Sequence, residues 1–119
     1  MKRPTIVCLC GSTRFYEAFQ QANYKETMAG RIVLSVGFYP HATVRYGEDC
    51  MGNPSAEVHH EERGCTPEQK AALDELHKRK IDLADEVLIL NVGGYIGSST
   101  RCELEYARAH GKKVRFLEE

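Results

Sequence analysis

Thr5-Ile6-Val7-Cys8-Leu9-Cys10-Gly11-Ser12-Thr13-Arg14 decides the fold. Its first six residues form a short, nearly continuous apolar run, as expected of a strand buried on both faces. Gly11 breaks the run, and from Ser12 or Thr13 the pattern turns helical, with Phe15, Phe19 and Ala22 on one face. Gly30 is placed to end that helix as a left-handed C′ residue. Residues 31–36 (RIVLSV) read as a second strand, which completes a βαβ unit.

The same alternation continues beyond a break. Residues 37–65 lack periodicity and are rich in Gly, Pro, His, Asn and Glu, which predicts a long loop able to cover a ligand. Thr66-Pro67-Glu68-Gln69 then offers an N-cap, a proline at N1 and a glutamine at N3. Ala72, Leu73, Leu76, Leu83 and Ala84 are expected to form that helix's buried face. Residues 86–92 (EVLILNV) read as a strand, residues 100–110 as a helix ending at Gly111, and residues 113–117 as a last strand. Strands alternating with helices predict a three-layer α/β domain, flavodoxin- or Rossmann-like, with about four or five parallel strands. All of residues 1–119 fit one domain, since a chain of this length buries roughly two thirds of its unfolded surface.

Composition narrows the classes of partner. Sixteen basic side chains against 17 acidic ones give a formal charge of -1, so no basic face is expected for nucleic acid or an anionic membrane. Met1-Lys2-Arg3-Pro4 leads directly into the first strand, without a signal-peptide pattern or a long apolar stretch, which implies a cytoplasmic protein. Five cysteines, several inside predicted strands and helices, read as free thiols of a reducing compartment. Cys50, His59, His60 and Cys65, with His41 nearby, could suggest zinc, but they lack a Cys-x-x-Cys or His-x-x-x-His pair. No metal or cofactor is therefore expected. Lys78-Arg79-Lys80 reads as a solvated helix face, and Cys102 as a buried helix residue.

In parallel sheets of this kind, ligands bind beyond the carboxyl ends of the strands, where strand order reverses. Two loops belong there. Gly11, Ser12, Thr13 and Arg14 combine a permissive backbone with two hydroxyls and a guanidinium at a helix start, a set suited to phosphate or sugar oxygens. Gly93-Gly94-Tyr95-Ile96-Gly97-Ser98-Ser99-Thr100 repeats the chemistry, with Tyr95 able to stack on a flat base. Gly97, Ser98 and Ser99 join it as candidate ligand-binding residues. Thr100-x-x-Glu103 also fits a capping box, which would explain Glu103 by helix capping alone. Neither loop matches a P-loop or a Gly-x-Gly-x-x-Gly fingerprint.

Cys10-Gly11-Ser12-Thr13-Arg14 resembles the Cys-Gly-Ser-x-Arg segment of the 2′-deoxynucleoside 5′-monophosphate N-glycosidases. Ala84-Asp85-Glu86-Val87, Glu103-Leu104-Glu105-Tyr106-Ala107 and Gly111-Lys112-Lys113-Val114 look like the wider nucleoside 2-deoxyribosyltransferase superfamily. The resemblance implies a nucleoside or nucleotide as ligand and cleavage or transfer at its N-glycosidic bond, with Glu103 as the nucleophile. A non-catalytic nucleotide-binding module with the same pocket is the alternative. It also implies a homo-oligomer. The sequence departs from the pattern at two places. His77 stands where the family carries an aspartate, eight residues before Asp85, and Glu105 stands where it carries a glycine. A histidine can protonate a departing base near neutral pH, so His77 is the expected acid. Helix geometry turns Glu105 away from Glu103, and a helix start would hold Glu103 ionised.

Overall fold

The computed structural model describes residues 3–37 and 67–118. The long central segment, with Cys50, His59, His60, Cys65 and His41, lies outside the described residues, as does Thr66. Among the described residues four strands form one sheet: β1 (Ile6–Cys10), β2 (Ile32–Leu34), β3 (Glu86–Ile89) and β4 (Lys113–Phe116). The described residues also form three α-helices, α1 (Tyr16–Met28), α2 (Pro67–Leu83) and α3 (Ser98–Ala109), and a short 3-10 turn at Val92–Gly94. All pairings are parallel, in the order β2-β1-β3-β4. This is a flavodoxin- or Rossmann-like α/β arrangement, with the reversal of strand order between β1 and β3.

The period of two along each strand sorts the core into two halves. Val7, Leu9, Leu88 and Leu90 point to one face and pack with Phe19 and Ala22 of α1. Cys8, Cys10, Val87 and Ile89 point to the other, against Ile81 of α2, Ala84, and Leu104 and Ala107 of α3. The same alternation that builds the core therefore aims both thiols of β1 at the two helices behind the sheet.

Several element limits differ from the sequence reading for local reasons. The first loop makes a turn before its helix, with the Phe15 N–H donating to the Ser12 carbonyl at 3.0 Å. The helix consequently begins at Tyr16 rather than at Ser12 or Thr13. Gly30 does end it, at φ 87°. Asp85 joins the starts of two strands: its Oδ2 accepts the Ile6 N–H at 2.8 Å, and Arg3 donates to both oxygens at 2.6 and 2.7 Å. The Arg3 guanidinium, with that backbone donor, holds the Asp85 carboxyl below the usual carboxylate range.

The buried face of α2 is not the predicted leucine face. His77 and Ile81 are buried and Asp74 and Lys78 are half-buried, whereas Leu73, Leu76 and Leu83 are exposed. The Lys78-Arg79-Lys80 run is likewise no uniform solvated face. Lys80 Nζ donates to the Ser35 carbonyl at 2.7 Å, and Arg79 pairs with Glu75 and Asp82. Among the described residues no helix is long and apolar enough to cross a membrane.

Gly11 occupies a point of close approach between the exits of β1 and β3. A Cβ there would stand 3.0 Å from Leu90 Cβ and 3.2 Å from the Leu90 carbonyl oxygen. The missing side chain thus serves strand packing. Gly11→Ala should force the two exits apart and lower stability by about 1–3 kcal/mol, the usual cost of overpacking. Chemical denaturation is the measurement, and an unchanged midpoint would remove this account of the glycine.

Candidate functional site

The candidate site grows from the start of α3. Gly97 adopts an extended conformation and the Arg101 N–H donates to its carbonyl at 2.9 Å, so the helix starts at Ser98. Thr100 is therefore already inside the helix and buried, and the expected capping box does not form. The cap lies three residues earlier, at Gly97, and this changes what Glu103 does. It lies in the second turn, outside the first-turn range of the helix dipole. It also shares a face with buried Thr100, Leu104 and Ala107, turned toward the sheet. Glu105 is exposed, as expected.

Glu103 meets His77 of α2 on that inner face. His77 Nε2 lies 3.9 Å from Glu103 Oε1, with only 8% and 13% of the respective side chains exposed. The same ring nitrogen faces two sulfurs, Cys10 Sγ at 3.3 Å and Cys8 Sγ at 3.6 Å. A central strand, whose cysteines stand 69 and 67 residues before His77 in sequence, and the inner face of α3 thus converge on one imidazole edge.

Burial sets the electrostatics. It raises the Glu103 carboxyl above its ordinary range; His77 pulls it down, while Cys8 and Asp74 add to the rise. Burial alone would lower His77, but the Cys8 sulfur and the Glu103 carboxylate outweigh it and raise the imidazole. Hydrogen bonding from Cys10, helped by His77, lowers the Cys8 thiol. That same bond, together with burial, raises Cys10. The expectation that a helix start keeps Glu103 ionised is thus replaced by a buried carboxyl whose opposite charge comes from His77.

An open cleft of about 190 Å³ lies in front of this cluster, lined by Asp74, Lys78, Ser98, Ser99, Cys102 and Glu103. Ser98 and Ser99 bring hydroxyls to its rim, and Lys70 Nζ reaches Ser99 Oγ at 3.2 Å and Asp74 at 2.9 and 3.0 Å. Lys78 contributes a cation to the lining. Cys102 is exposed on this rim rather than buried. Its place on the helix, off the inward stripe of Thr100, Leu104 and Ala107, explains the difference. His77 is behind Glu103 and does not line the cleft. Asp74, one turn earlier on α2, does.

The other predicted residues belong to the two strand-exit loops at the strand-order reversal and do not line the cleft. Arg14 lies over the Tyr95 ring, 5.1 Å from its centroid, and Phe15 meets Tyr95 edge-on at 5.9 Å. Ser12 Oγ accepts the Arg14 N–H at 3.3 Å, so this hydroxyl shapes its own turn. Gly97 underlies Tyr95, where an added Cβ would meet the phenol oxygen at 3.2 Å. The two loops touch, as strand order requires, but the cleft lining draws on the second loop and not on Gly11, Ser12, Thr13 or Arg14.

Sequence reasoning missed the thiol pair and Asp74. The available signal for the pair was its spacing: residues two apart on a strand share a face. Compared with protein-family models, curated proteins and solved structures, the chain matches none.

Proposed function

We propose that this protein cleaves or transfers at the N-glycosidic bond of a deoxynucleoside or its 5′-monophosphate, with Glu103 as nucleophile. The observation that carries the reading is Glu103 itself, a carboxyl almost withdrawn from water that opens onto a cleft rimmed by Ser98, Ser99, Lys78 and Asp74. Retaining glycoside chemistry needs a carboxylate nucleophile and a nearby acid. Glu103 attacks the anomeric carbon, the bond to the base nitrogen breaks, and its electron pair leaves with the base. Asp74, the other carboxyl in the cleft wall, is ion-paired with Lys70, so the departing base takes its proton from water in the open cleft. His77 holds Glu103 from behind and steadies its charge. Water, or a second base, then attacks the glycosyl ester and frees Glu103. Ser98, Ser99 and Lys78 suit sugar hydroxyls or phosphate oxygens, and Tyr95 with Arg14 offers a flat stacking surface for a base.

The test is incubation with a panel of deoxynucleosides and their 5′-monophosphates, with free base separated chromatographically. The expected result is release from at least one member. Thermal stabilisation by a panel member without base release would instead establish a non-catalytic nucleotide-binding module. Neither stabilisation nor release would overturn both.

A further inference from the structure

The base-release reading uses His77 only as a support and leaves Cys8 and Cys10 without a task. Both thiols are fully buried, on adjacent inward positions of a central strand. A core needs no sulfur there, since valine or isoleucine would pack as well in a strand. A buried imidazole between them is harder to explain by packing alone, because its ring nitrogens need partners. The donor atoms of Cys8, Cys10 and His77 lie within 4.8 Å of one another.

Their geometry matches a metal's demands. A zinc ion with Zn–S of about 2.3 Å and Zn–N of about 2.0 Å sets tetrahedral sulfur and nitrogen donors about 3.5 Å apart. The observed separations are 3.3 and 3.6 Å. The carboxylate of Glu103, 3.9 Å from the same nitrogen, needs only a small side-chain rotation to close a fourth position. We propose that Cys8 Sγ, Cys10 Sγ and His77 Nε2 form a binding site for a thiophilic divalent cation, zinc above all, with Glu103 as the fourth donor. Two thiolates and an imidazole select zinc over magnesium or calcium, whose preferred ligands are oxygens. The donors sit on a central strand and on packed helix faces, which hold them without a further folding step. This site departs from the sequence-based expectation of free thiols and no metal.

The inference does not depend on base release, because it is read by absorption rather than turnover. Occupation would draw Glu103 away from the cleft, which makes zinc an inhibitor of any activity there.

Cobalt(II) is the probe. Titration of the full-length wild-type protein without oxygen should produce sulfur-to-cobalt charge-transfer absorption and the visible bands of a tetrahedral ion, saturating at one equivalent and displaced by zinc. A C50S/C65S/C102S variant, whose only remaining thiols are Cys8 and Cys10, should keep these bands. Adding His77→Ala to that background should weaken binding at least about tenfold, since even an outer-shell partner is worth that much. Absence of the bands in the wild type overturns the proposal outright. So does their loss in the triple variant while its circular dichroism is unchanged. If the triple variant does not fold, Cys8→Ala with the other cysteines intact decides: bands of undiminished intensity refute the site, and their loss supports it.

Discussion

Glu103→Gln should reduce base release by at least about 10³-fold, the scale on which removal of a covalent nucleophile acts. The substitution keeps the shape of the side chain and its place between His77 and the cleft, so circular dichroism and ligand-induced thermal stabilisation should persist. Glu105→Gln, two residues along the same helix but exposed, is the matched control and should leave the rate unchanged. The pair separates chemistry from charge, because each variant removes one negative charge from α3. Equal rates for Glu103→Gln and the wild type would end the nucleophile assignment, whatever ligand the cleft accepts. A loss confined to ligand affinity, with turnover intact at saturation, would recast Glu103 as a binding group.

The alternation of strands and helices was legible because β1, β2 and β3 are short, mostly apolar runs followed by a glycine or a polar turn. Residues 5–10 needed no partner to be recognised. Faces of helices were a different matter. On α2 the leucines dominate any count of apolar residues, yet Leu73, Leu76 and Leu83 are exposed while His77 and Ile81 are buried. The wall that α2 meets carries two thiols and a carboxyl, so a histidine fits there better than its hydropathy suggests. The cost of its polar edge is met by Cys8, Cys10 and Glu103. Those partners come from elements that only the completed sheet brings together.

Glu103 shows how a small error of boundary changes a functional reading. With Thr100 as the cap, Glu103 is the third helical residue and belongs to the capping box. With Ser98 as the first residue, it faces inward and becomes the floor of a cleft. The local sequence supports both starts, because glycine at 97 and threonine at 100 are each acceptable caps. What selects between them is the burial of Thr100 with Leu104 and Ala107, a tertiary effect. Asp74 was hidden for a similar reason: its place in the cleft depends on how α2 is rotated.

The largest structural effect is expected on the opposite face of the sheet, from Arg115→Met. Arg115 of β4 donates through Nε to Glu86 at 2.9 Å and through Nη2 to Glu86 at 2.7 Å and to Glu26 of α1. The carboxylate side chains are only 10% and 11% exposed. Arg31 assists from 3.4 and 4.0 Å. Methionine preserves much of the stem's packing but strands two buried carboxylates with Arg31 as their cation. Removing one member of a fully buried pair costs about 3–5 kcal/mol. Because the Arg115 side chain is 30% exposed and Arg31 remains, about 2–3 kcal/mol is expected. Arg115→Lys should recover only part of the loss, since a single ammonium cannot bridge both carboxylates as the planar fork does. The fall in denaturation midpoint at unchanged slope measures the effect, and a loss under about 0.5 kcal/mol would reduce the network to ordinary surface pairing. The variant also probes how independent the two faces are. Cys8, Cys10, His77 and Glu103 lie across the sheet from Glu26 and Glu86, so the folded fraction of Arg115→Met should bind and react as the wild type does. Altered turnover in fully folded protein would instead mean that β4 transmits strain through β3 to the cleft.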